Sequence, residues 1–453
     1  MNSRFWLNSH TGALGNKKDT IGENIFTKHH ITIIITFSLL ILADTAVSQV
    51  ITVDSLLAAH IAAALKNNPE IAALSASLDA ARQRVSQAGA WHDPTVKFSL
   101  MNLPLSSFDF NQENMTGAWL SIGQAIPAPG KTRLKTDISE SNAKIAAAEQ
   151  FGRELKLAES LALIWFEWAY LLEKLTTLNH DIQLMDNLIV IARSKYETGS
   201  GLQHDILRAE TKRSKQDDTR IKLAQTISTV ASRFATLIGL HSNAAPLPPS
   251  ILPDEFSELE AGGLSDLMYQ HNPAWAIMVI RVESSGKKVD LAKLAVLPDL
   301  KLGAAYGFRQ ATNAGLSRPD FFSISAGITV PLYKERKQNA GVREKIAMQR
   351  SALLRKNSLR LELDFMLRKL VDEDRRLAEQ ILLYKDGILP QAEATLAAST
   401  SSYSIGKADF EALLMAESVL YNTALEKLER IRDRLKTRAS IAALTGGSSL
   451  MGL

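Results

Sequence analysis

Hydrophobic residues recur every three or four positions along several long segments of the chain. One stripe contains Leu155, Ala158, Ala162, Trp165, Ala169, Leu172, Leu175, Leu178, Ile182, Met185, Ile189 and Ala192. This spacing predicts long helices that pack through heptad stripes, over residues 131–197, 202–239, 337–403 and 408–444. Residues 131–196 contain no proline, and a helix of that length is about 100 Å long, too long to be buried in an ordinary globule.

Four shorter segments alternate between apolar and polar residues instead, which predicts strands at about 94–104, 117–127, 298–308 and 321–332. In the last of these, Phe322 and Ile324 alternate with Ser323 and Ser325. Such strands are long enough to cross a membrane when tilted, although the same alternation is typical of an antiparallel sheet that covers a soluble core. Four strands cannot close a barrel, and lipid does not tolerate an open sheet edge. Three copies would supply twelve strands, which predicts a homotrimer.

Landmarks recur along the chain at a nearly constant offset, which predicts an internal duplication. Asn68, Pro94 and Pro127 recur 204 residues later as Asn272, Pro298 and Pro331, and the pattern Tyr196-x-x-Gly199 recurs 207 residues later as Tyr403-x-x-Gly406. We therefore expect a first repeat over 49–245, a proline-rich linker over 246–263, a second repeat over 264–446 and a short tail over 447–453.

The N-terminal region contains a twelve-residue apolar run at 31–42, followed by small residues before Gln49. The run is short for a transmembrane helix and typical of a signal-peptide core, so residues 1–48 are predicted to be a signal peptide. The segment before the run is long, which leaves room for a later translation start, and a membrane anchor is the alternative. The chain has no cysteine, which excludes disulfides, thiolate metal sites and a lipidated N-terminal cysteine.

Charge and motifs give little support for catalysis or for nucleic-acid binding. The net charge is only +4, and the basic residues are interspersed with acids, unlike a nucleic-acid groove. The nine histidines show no metal-ligand spacing, and we expect no cofactor. Residues 125–132 fit a permissive phosphate-loop pattern, but Pro127 and Pro129 lack the N–H groups that would cradle phosphate. A nucleotide-binding protein and a non-conducting coiled-coil scaffold remain the alternatives to a channel.

Three features together resemble the TolC family of outer-membrane efflux channels. They are the duplicated helix-helix-strand-strand-helix-helix plan, the turn from strand to helix over 124–131, and the two Tyr-x-x-Gly patterns. The resemblance implies a mainly α protomer with a β-barrel part. Three protomers would form a twelve-stranded barrel in the outer membrane of a Gram-negative bacterium, above a periplasmic helical barrel. It also implies a passive duct without enzyme activity.

The resemblance further implies two partners, a periplasmic adaptor protein and an inner-membrane pump of the resistance-nodulation-division type. Residues 101–104 together with Met115 and Thr116 resemble the branch that is paired with metal-ion pumps. The exported substrate itself is not identified by these residues.

Within this family the Tyr-x-x-Gly turns lie at the periplasmic entrance of the channel, which makes the residues after them candidates for a gate. Asp205 and Glu411 are the predicted acids of a constricting ring, with Arg208 and Lys407 as pairing partners; solvated hairpin residues are the alternative interpretation. Tyr196 and Tyr403 are expected to fasten the helix ends. Gly199 and Gly406 are expected at the hairpin turns, and Pro127, Gly130 and Pro331 at the turns from strand to helix.

Overall fold

The computed structural model describes residues 55–240, 248–249, 252–253 and 258–447. The predicted signal peptide lies outside the described residues, as do part of the predicted linker and nearly all of the predicted tail. The described chain is mainly helical with one small sheet, which confirms the predicted fold class at that level. No helix among the described residues is both long enough and apolar enough to cross a membrane.

Between residues 55 and 240, the first half of the chain contains four helices and two strands in the predicted order. They are α1 (Ser55–Asn67), α2 (Pro69–Gly89), β1 (Thr95–Met101), β2 (Gly117–Ile126), α3 (Lys131–Glu197) and α4 (Gln203–Leu237). Helix α3 has 67 residues and packs against α2, α4 and helices of the second half. It is therefore the element around which the other long helices are arranged.

The second half has the same order of elements but a more interrupted long helix. The elements are α5 (Leu264–His271), α6 (Pro273–Leu294), β3 (Leu300–Phe308), β4 (Phe321–Ile328), a π-helical segment (Glu335–Asn339), α7 (Ala340–Leu383), a second π-helical segment (Tyr384–Ile388), α8 (Leu389–Ser404) and α9 (Phe410–Leu444).

The sequence predicts one uninterrupted α-helix over 337–403, and the two π-helical segments correct that prediction. Pro390 lies in the first turn of α8, directly after the second segment. Proline has no N–H to donate, and its ring collides with the carbonyl oxygen four residues earlier in an α-helix. A locally wider turn relieves this collision, so the helical path continues with a change of geometry.

Asparagine side chains fix the start of α2 and of α6. The Oδ1 atom of Asn68 accepts a hydrogen bond of 2.8 Å from the backbone N–H of Glu70, and Oδ1 of Asn272 accepts one of 3.1 Å from Trp275. In both cases proline follows at the first helical position, where its missing N–H costs nothing. The same capping chemistry therefore starts the helix that leads to each strand pair.

The four strands form one antiparallel sheet in the order β1-β2-β3-β4. The register places Val96, Ile122, Ala304 and Ile324 side by side, and the next row on the same face contains Phe98, Leu120, Tyr306 and Phe322. The neighbouring row on the opposite face contains Lys97, Ser121, Ala305 and Ser323. One face of the sheet is therefore apolar, and this row of the other face, which we call the polar face, contains polar and small residues.

Strands β1 and β4 end earlier than the sequence predicts, at Met101 and Ile328, for identifiable reasons. Strand β1 ends at Met101 because Asn102 adopts a left-handed conformation with φ of 59°. Strand β4 ends at Ile328, which pairs with the first residue of β3, Leu300, so the residues after it have no partner on that strand. Pro331 also lacks the N–H that a ladder needs.

The buried core of the protomer lies among the helices and not beneath the sheet. Its largest aromatic group joins Trp165 and Trp168 of α3 to Phe234 of α4, with 5.3 Å between the ring centroids of Trp165 and Phe234. A second apolar cluster surrounds the ends of α3 and α8 and contains Met185, Leu188, Tyr403, Phe410 and Leu413. In contrast, the apolar face of the sheet is exposed in the protomer, with Ile324 78% accessible.

Candidate functional site

The predicted site lies at two adjacent hairpins, which we define as residues 198–202 between α3 and α4 and residues 405–409 between α8 and α9. Gly199 has φ of 74° and Gly406 has φ of 76°, a left-handed conformation that glycine adopts without steric cost. The Nζ atom of Lys195 donates hydrogen bonds to the carbonyl oxygens of Tyr403 and Ser404. Lys195, at the end of α3, therefore caps the end of α8 and holds the two hairpins together.

Tyr403 is the buried centre of this contact. Its ring packs against Phe410 at 5.2 Å between centroids, and Lys195 Nζ lies 4.6 Å from its ring centroid. The hydroxyl donates a 3.5 Å hydrogen bond to Oδ2 of Asp205. Burial, with a smaller contribution from the charge of Asp205, raises the pKa of Tyr403 to about 12. Tyr403 therefore remains a neutral hydrogen-bond donor at physiological pH.

The two predicted acids have different surroundings. Asp205 is buried, and besides Tyr403 its carboxylate lies 3.1 Å from Nε2 of His204. Glu411 is exposed and pairs with Arg208, with 2.9 Å between the guanidinium and the carboxylate. An acidic ring built from Asp205 would need this side chain to turn away from Tyr403. Glu411 is the acid that is accessible in the protomer.

The remaining predicted hairpin residues also differ between the two copies. The side chain of Lys407 takes part in none of the ion pairs found among the described residues; its backbone N–H donates to the Ser402 carbonyl oxygen at 2.8 Å. Tyr196 is 47% exposed, whereas Tyr403 is buried. The structure thus pairs Arg208 with Glu411 and Asp205 with Tyr403, and Lys407 and Tyr196 are exposed outside these two pairs.

A buried polar cluster lies farther from the hairpins and joins α3, α4 and α9. Lys212 of α4 donates to the Glu417 carboxylate and, at 2.6 Å, to the Ser418 hydroxyl. Glu417 is completely buried. Beside it, Gln216 donates a 2.6 Å hydrogen bond to Asp181. The sequence alone does not predict this cluster, although Glu417 interrupts an apolar stripe of α9 and so indicates that a buried partner is needed.

A second buried ion group joins α7 to α9. The Asp374 carboxylate accepts hydrogen bonds from the guanidinium groups of Arg434 at 3.1 Å and Arg438 at 2.8 Å, and all three residues are buried. Asp374 occupies a core position between Leu367 and Leu377. This group is not predicted from the sequence either; its signal is a carboxylate within an apolar heptad stripe.

The strand-to-helix turn that fits a phosphate-loop pattern is occupied by protein contacts. Lys131 Nζ donates to the Leu297 carbonyl oxygen at 2.9 Å and to Asp299 Oδ1 at 2.8 Å, and the same oxygen accepts the Ala128 N–H at 2.8 Å. Gly130 adopts φ of 86° immediately before α3. Lys131 therefore links the start of α3 to the start of β3. No group of three or more potential metal ligands occurs within the described part of the chain.

Replacing Asp299 by alanine is expected to loosen this junction. The change leaves the buried N–H of Ala128 without an acceptor and removes the counter-charge of Lys131, which should cost about 1–3 kcal/mol. Asp299→Asn retains an acceptor for the N–H but loses the charge, so its cost should be smaller. The unfolding midpoint should therefore fall from the wild type to Asp299→Asn and further to Asp299→Ala, which far-UV circular dichroism in detergent would measure. Equal midpoints for the alanine variant and the wild type would contradict this prediction.

Comparison with known proteins identifies relatives over most of the chain. A family model described as outer membrane efflux protein matches residues 60–240 and 264–447. The putative multidrug resistance outer membrane protein MdtQ of Escherichia coli (strain K12) is 25% identical, over 64% of this chain and 64% of its own length. The pyoverdine export outer membrane protein OpmQ of Pseudomonas putida is 22% identical, over 60% of this chain and 56% of its own length. The chain thus spans less than two thirds of the length of these relatives.

Solved structures share the fold at low sequence identity. VceC from Vibrio cholerae has a TM-score of 0.73 and 18% identity, covering 87% of this chain and 97% of that one. CusC has a TM-score of 0.75 and 16% identity, covering 87% and 93% of the two chains. The described arrangement of helices and sheet is therefore that of known outer-membrane channel proteins.

Proposed function

The chain belongs to the outer membrane efflux protein family, and on this premise we propose that it is the protomer of a homotrimeric channel that exports small molecules passively across the outer membrane. The predicted resemblance to TolC-type channels is confirmed by the family match and by the solved structures. The observation that carries the proposal is the exposed apolar face of the sheet, whose side chains have no core beneath them.

An exposed apolar face of this kind is suited to contact with lipid. Val96, Phe98, Phe322 and Ile324 are each more than 60% accessible in the protomer, whereas soluble proteins seldom expose large contiguous apolar patches. The outer strands of the sheet are β1 and β4. In lipid their free edges must be paired, and the edges of two further copies would pair them in a twelve-stranded barrel.

The helical part supports the same assembly. Helix α7 exposes Leu354, Leu361, Phe365, Leu382 and Leu383, each more than 50% accessible in the protomer, and packing between copies would cover them. We also propose that the two halves arose by internal duplication, with repeats over 49–245 and 264–446. The double match of the family model and the paired asparagine caps support this.

The partners and cargo of the channel are extensions of the same proposal. The relatives are named for multidrug resistance and pyoverdine export, which supports small organic molecules, with metal ions as a further class of cargo. A channel of this family would receive its cargo from a periplasmic adaptor and an inner-membrane pump, and we propose a pump of the resistance-nodulation-division type. The protein would act as a duct and not as an enzyme.

The two hairpins would form the periplasmic entrance. Arg208 and Glu411 connect α4 to α9 at this end, and Asp205 is fastened to Tyr403. We propose that these contacts hold the entrance closed and that Lys407 contributes charge without a fixed partner. Opening would then require the Arg208–Glu411 pair to separate in each protomer.

Two neighbouring residues of β4 provide a sharp test of the barrel. Ile324→Lys places a charge on the face assigned to lipid, which should cost about 2–4 kcal/mol near the bilayer midplane, whereas Ser323→Lys places the same charge on the face assigned to the lumen. The wild type and Ser323→Lys should form detergent-stable trimers and discrete channels in planar bilayers, and Ile324→Lys should lose both. Absence of channels in the wild type, or equal behaviour of the two variants, would overturn the proposal.

A further inference from the structure

The polar face of the sheet carries positive charge and no negative charge. Lys97 lies beside Ser121, and Lys301 lies between Ala125 and Gly327. All other residues that the register places on this face are glycine, alanine, serine, threonine, methionine or aromatic. Under the proposed function this face lines the lumen, so each protomer contributes two cations and no carboxylate to it.

Both ammonium groups are available to a solute. Lys97 and Lys301 are exposed, and neither takes part in an ion pair among the described residues, whereas Lys131 is bound to Asp299 and Lys293 to Asp290. Lys97 is level with Ala305, four residues along β3 from Lys301, a rise of about 13 Å. Three copies would therefore place two rings of positive charge along the lumen.

An aromatic platform lies one step beyond Lys97, toward the end of the sheet that is remote from the helices. Trp119 and Phe321 lie on the polar face, with 6.4 Å between ring centroids and 32° between planes. A Cβ atom at Gly307 would be 2.8 Å from the Trp119 ring, so glycine is what allows the indole to lie flat against β3. Trp119 pairs with Ser99, two residues from Lys97, which is about 7 Å along the strand.

The platform is also held in place from the loops. The Arg309 guanidinium lies 3.9 Å from the ring centroid of Phe321, and it donates hydrogen bonds to the carbonyl oxygens of Pro319 and Asn114. These contacts join the loop after β1 to the loop after β3 and place a guanidinium beside the aromatic rings, next to the Asp320 carboxylate, which accepts the backbone N–H of Arg309 at 2.9 Å. A solute at this level would meet two aromatic rings and the Arg309 guanidinium, with Lys97 about 7 Å away along β1.

We propose that this surface, formed by Lys97, Lys301, Trp119 and Phe321, makes the barrel select organic anions that carry an aromatic ring. Charges of one sign in a narrow lumen with low-dielectric walls raise the local concentration of counter-ions, and aromatic side chains stack with planar solutes. The inference rests on the proposed function, because the face must line a conducting lumen.

The charge part is tested by ion selectivity in planar bilayers under a KCl gradient. Lys97→Gln together with Lys301→Gln should shift the reversal potential toward cation preference, by a several-fold change in the permeability ratio of K⁺ to Cl⁻. The charge-retaining pair Lys97→Arg and Lys301→Arg should behave as the wild type. An unchanged reversal potential in the glutamine variant would overturn the proposal.

The aromatic part is tested by block of the open channel with two anions of equal charge, naphthalene disulfonate and propane disulfonate. Naphthalene disulfonate should block the wild type more strongly and for longer. Trp119→Ala should remove that difference, whereas Phe98→Ala, on the opposite face of the sheet, should retain it. Equal block of the wild type by both anions would overturn the aromatic part.

The outcomes separate the two proposals. If the wild type forms no channels, the proposed function fails and the inference falls with it. If it conducts but neither lysine substitution nor the aromatic anion has an effect, the channel assignment stands and only the selectivity surface is rejected.

Discussion

Replacing Lys212 by methionine is expected to destabilise the helical part of the protomer by about 3–5 kcal/mol, the cost of removing one partner from a buried ion pair. Lys212 is the cation that contacts the completely buried Glu417 carboxylate. Methionine has a similar length but no charge, so it leaves that carboxylate buried without compensation. The thermal midpoint of the helical circular-dichroism signal in detergent should fall well below that of the wild type.

The loss of stability in Lys212→Met should depend on pH, because the substitution also changes the electrostatic surroundings of the neighbouring Asp181. Burial raises the pKa of Asp181, and the hydrogen bond from Gln216 and the charge of Lys212 oppose that rise. Without Lys212 one of the two opposing contributions is lost, so the Asp181 carboxyl would bind a proton more tightly in the folded state than in the unfolded state. Stability is then greatest below the unfolded pKa of about 4 and is lost as the pH rises, so the deficit should be smallest in acid.

Lys222→Met is the matched control on the same helix. Lys222 pairs with Asp218 one turn away, and both side chains are exposed, a type of pair worth about 0.3–0.5 kcal/mol. The thermal unfolding midpoint of Lys222→Met should therefore stay close to that of the wild type. If the two lysine variants lost equal stability, the buried cluster would have no special role in joining α4 to α9.

Features that depend on neighbouring residues could be predicted from the sequence, whereas contacts between residues far apart in the chain could not. The change of hydrophobic period from seven to two residues is a local signal, and the structure has strands and long helices in those regions. Pro390 is equally local, yet its effect on the helix is absent from a prediction that follows the apolar stripe alone. Helix interruptions are therefore predicted better when proline positions are read together with the period.

Hydrophobic periodicity does not predict the buried ion pairs, because the paired residues are far apart in the sequence. Lys212 and Glu417 are separated by 205 positions, and Asp374 and Arg438 by 64. A polar residue at a stripe position indicates that a partner is needed, but its identity depends on which helices pack together. The hairpin residues show the same limit, since their sequence does not predict that Asp205 faces Tyr403 while Glu411 remains accessible.

Reversing the charge of Arg208 is expected to open the proposed entrance. In Arg208→Glu two carboxylates face each other where an ion pair was. An exposed pair contributes about 0.2–1 kcal/mol, and three copies acting together would change the open-to-closed ratio about tenfold, which corresponds to about 1.4 kcal/mol. Single-channel recordings should therefore show a higher open probability, and cells should become more sensitive to large antibiotics.

The reciprocal exchange decides whether pairing or charge is the cause. Arg208→Glu combined with Glu411→Arg restores an ion pair of opposite polarity and should return the open probability close to the wild-type value. Lys407→Glu makes the same change in net charge at the adjacent hairpin, where no ion pair exists among the described residues, so its effect should be small. If the exchange variant stayed open, or if Lys407→Glu opened the channel equally, entrance closure would depend on total charge at the hairpins and not on the contact between α4 and α9.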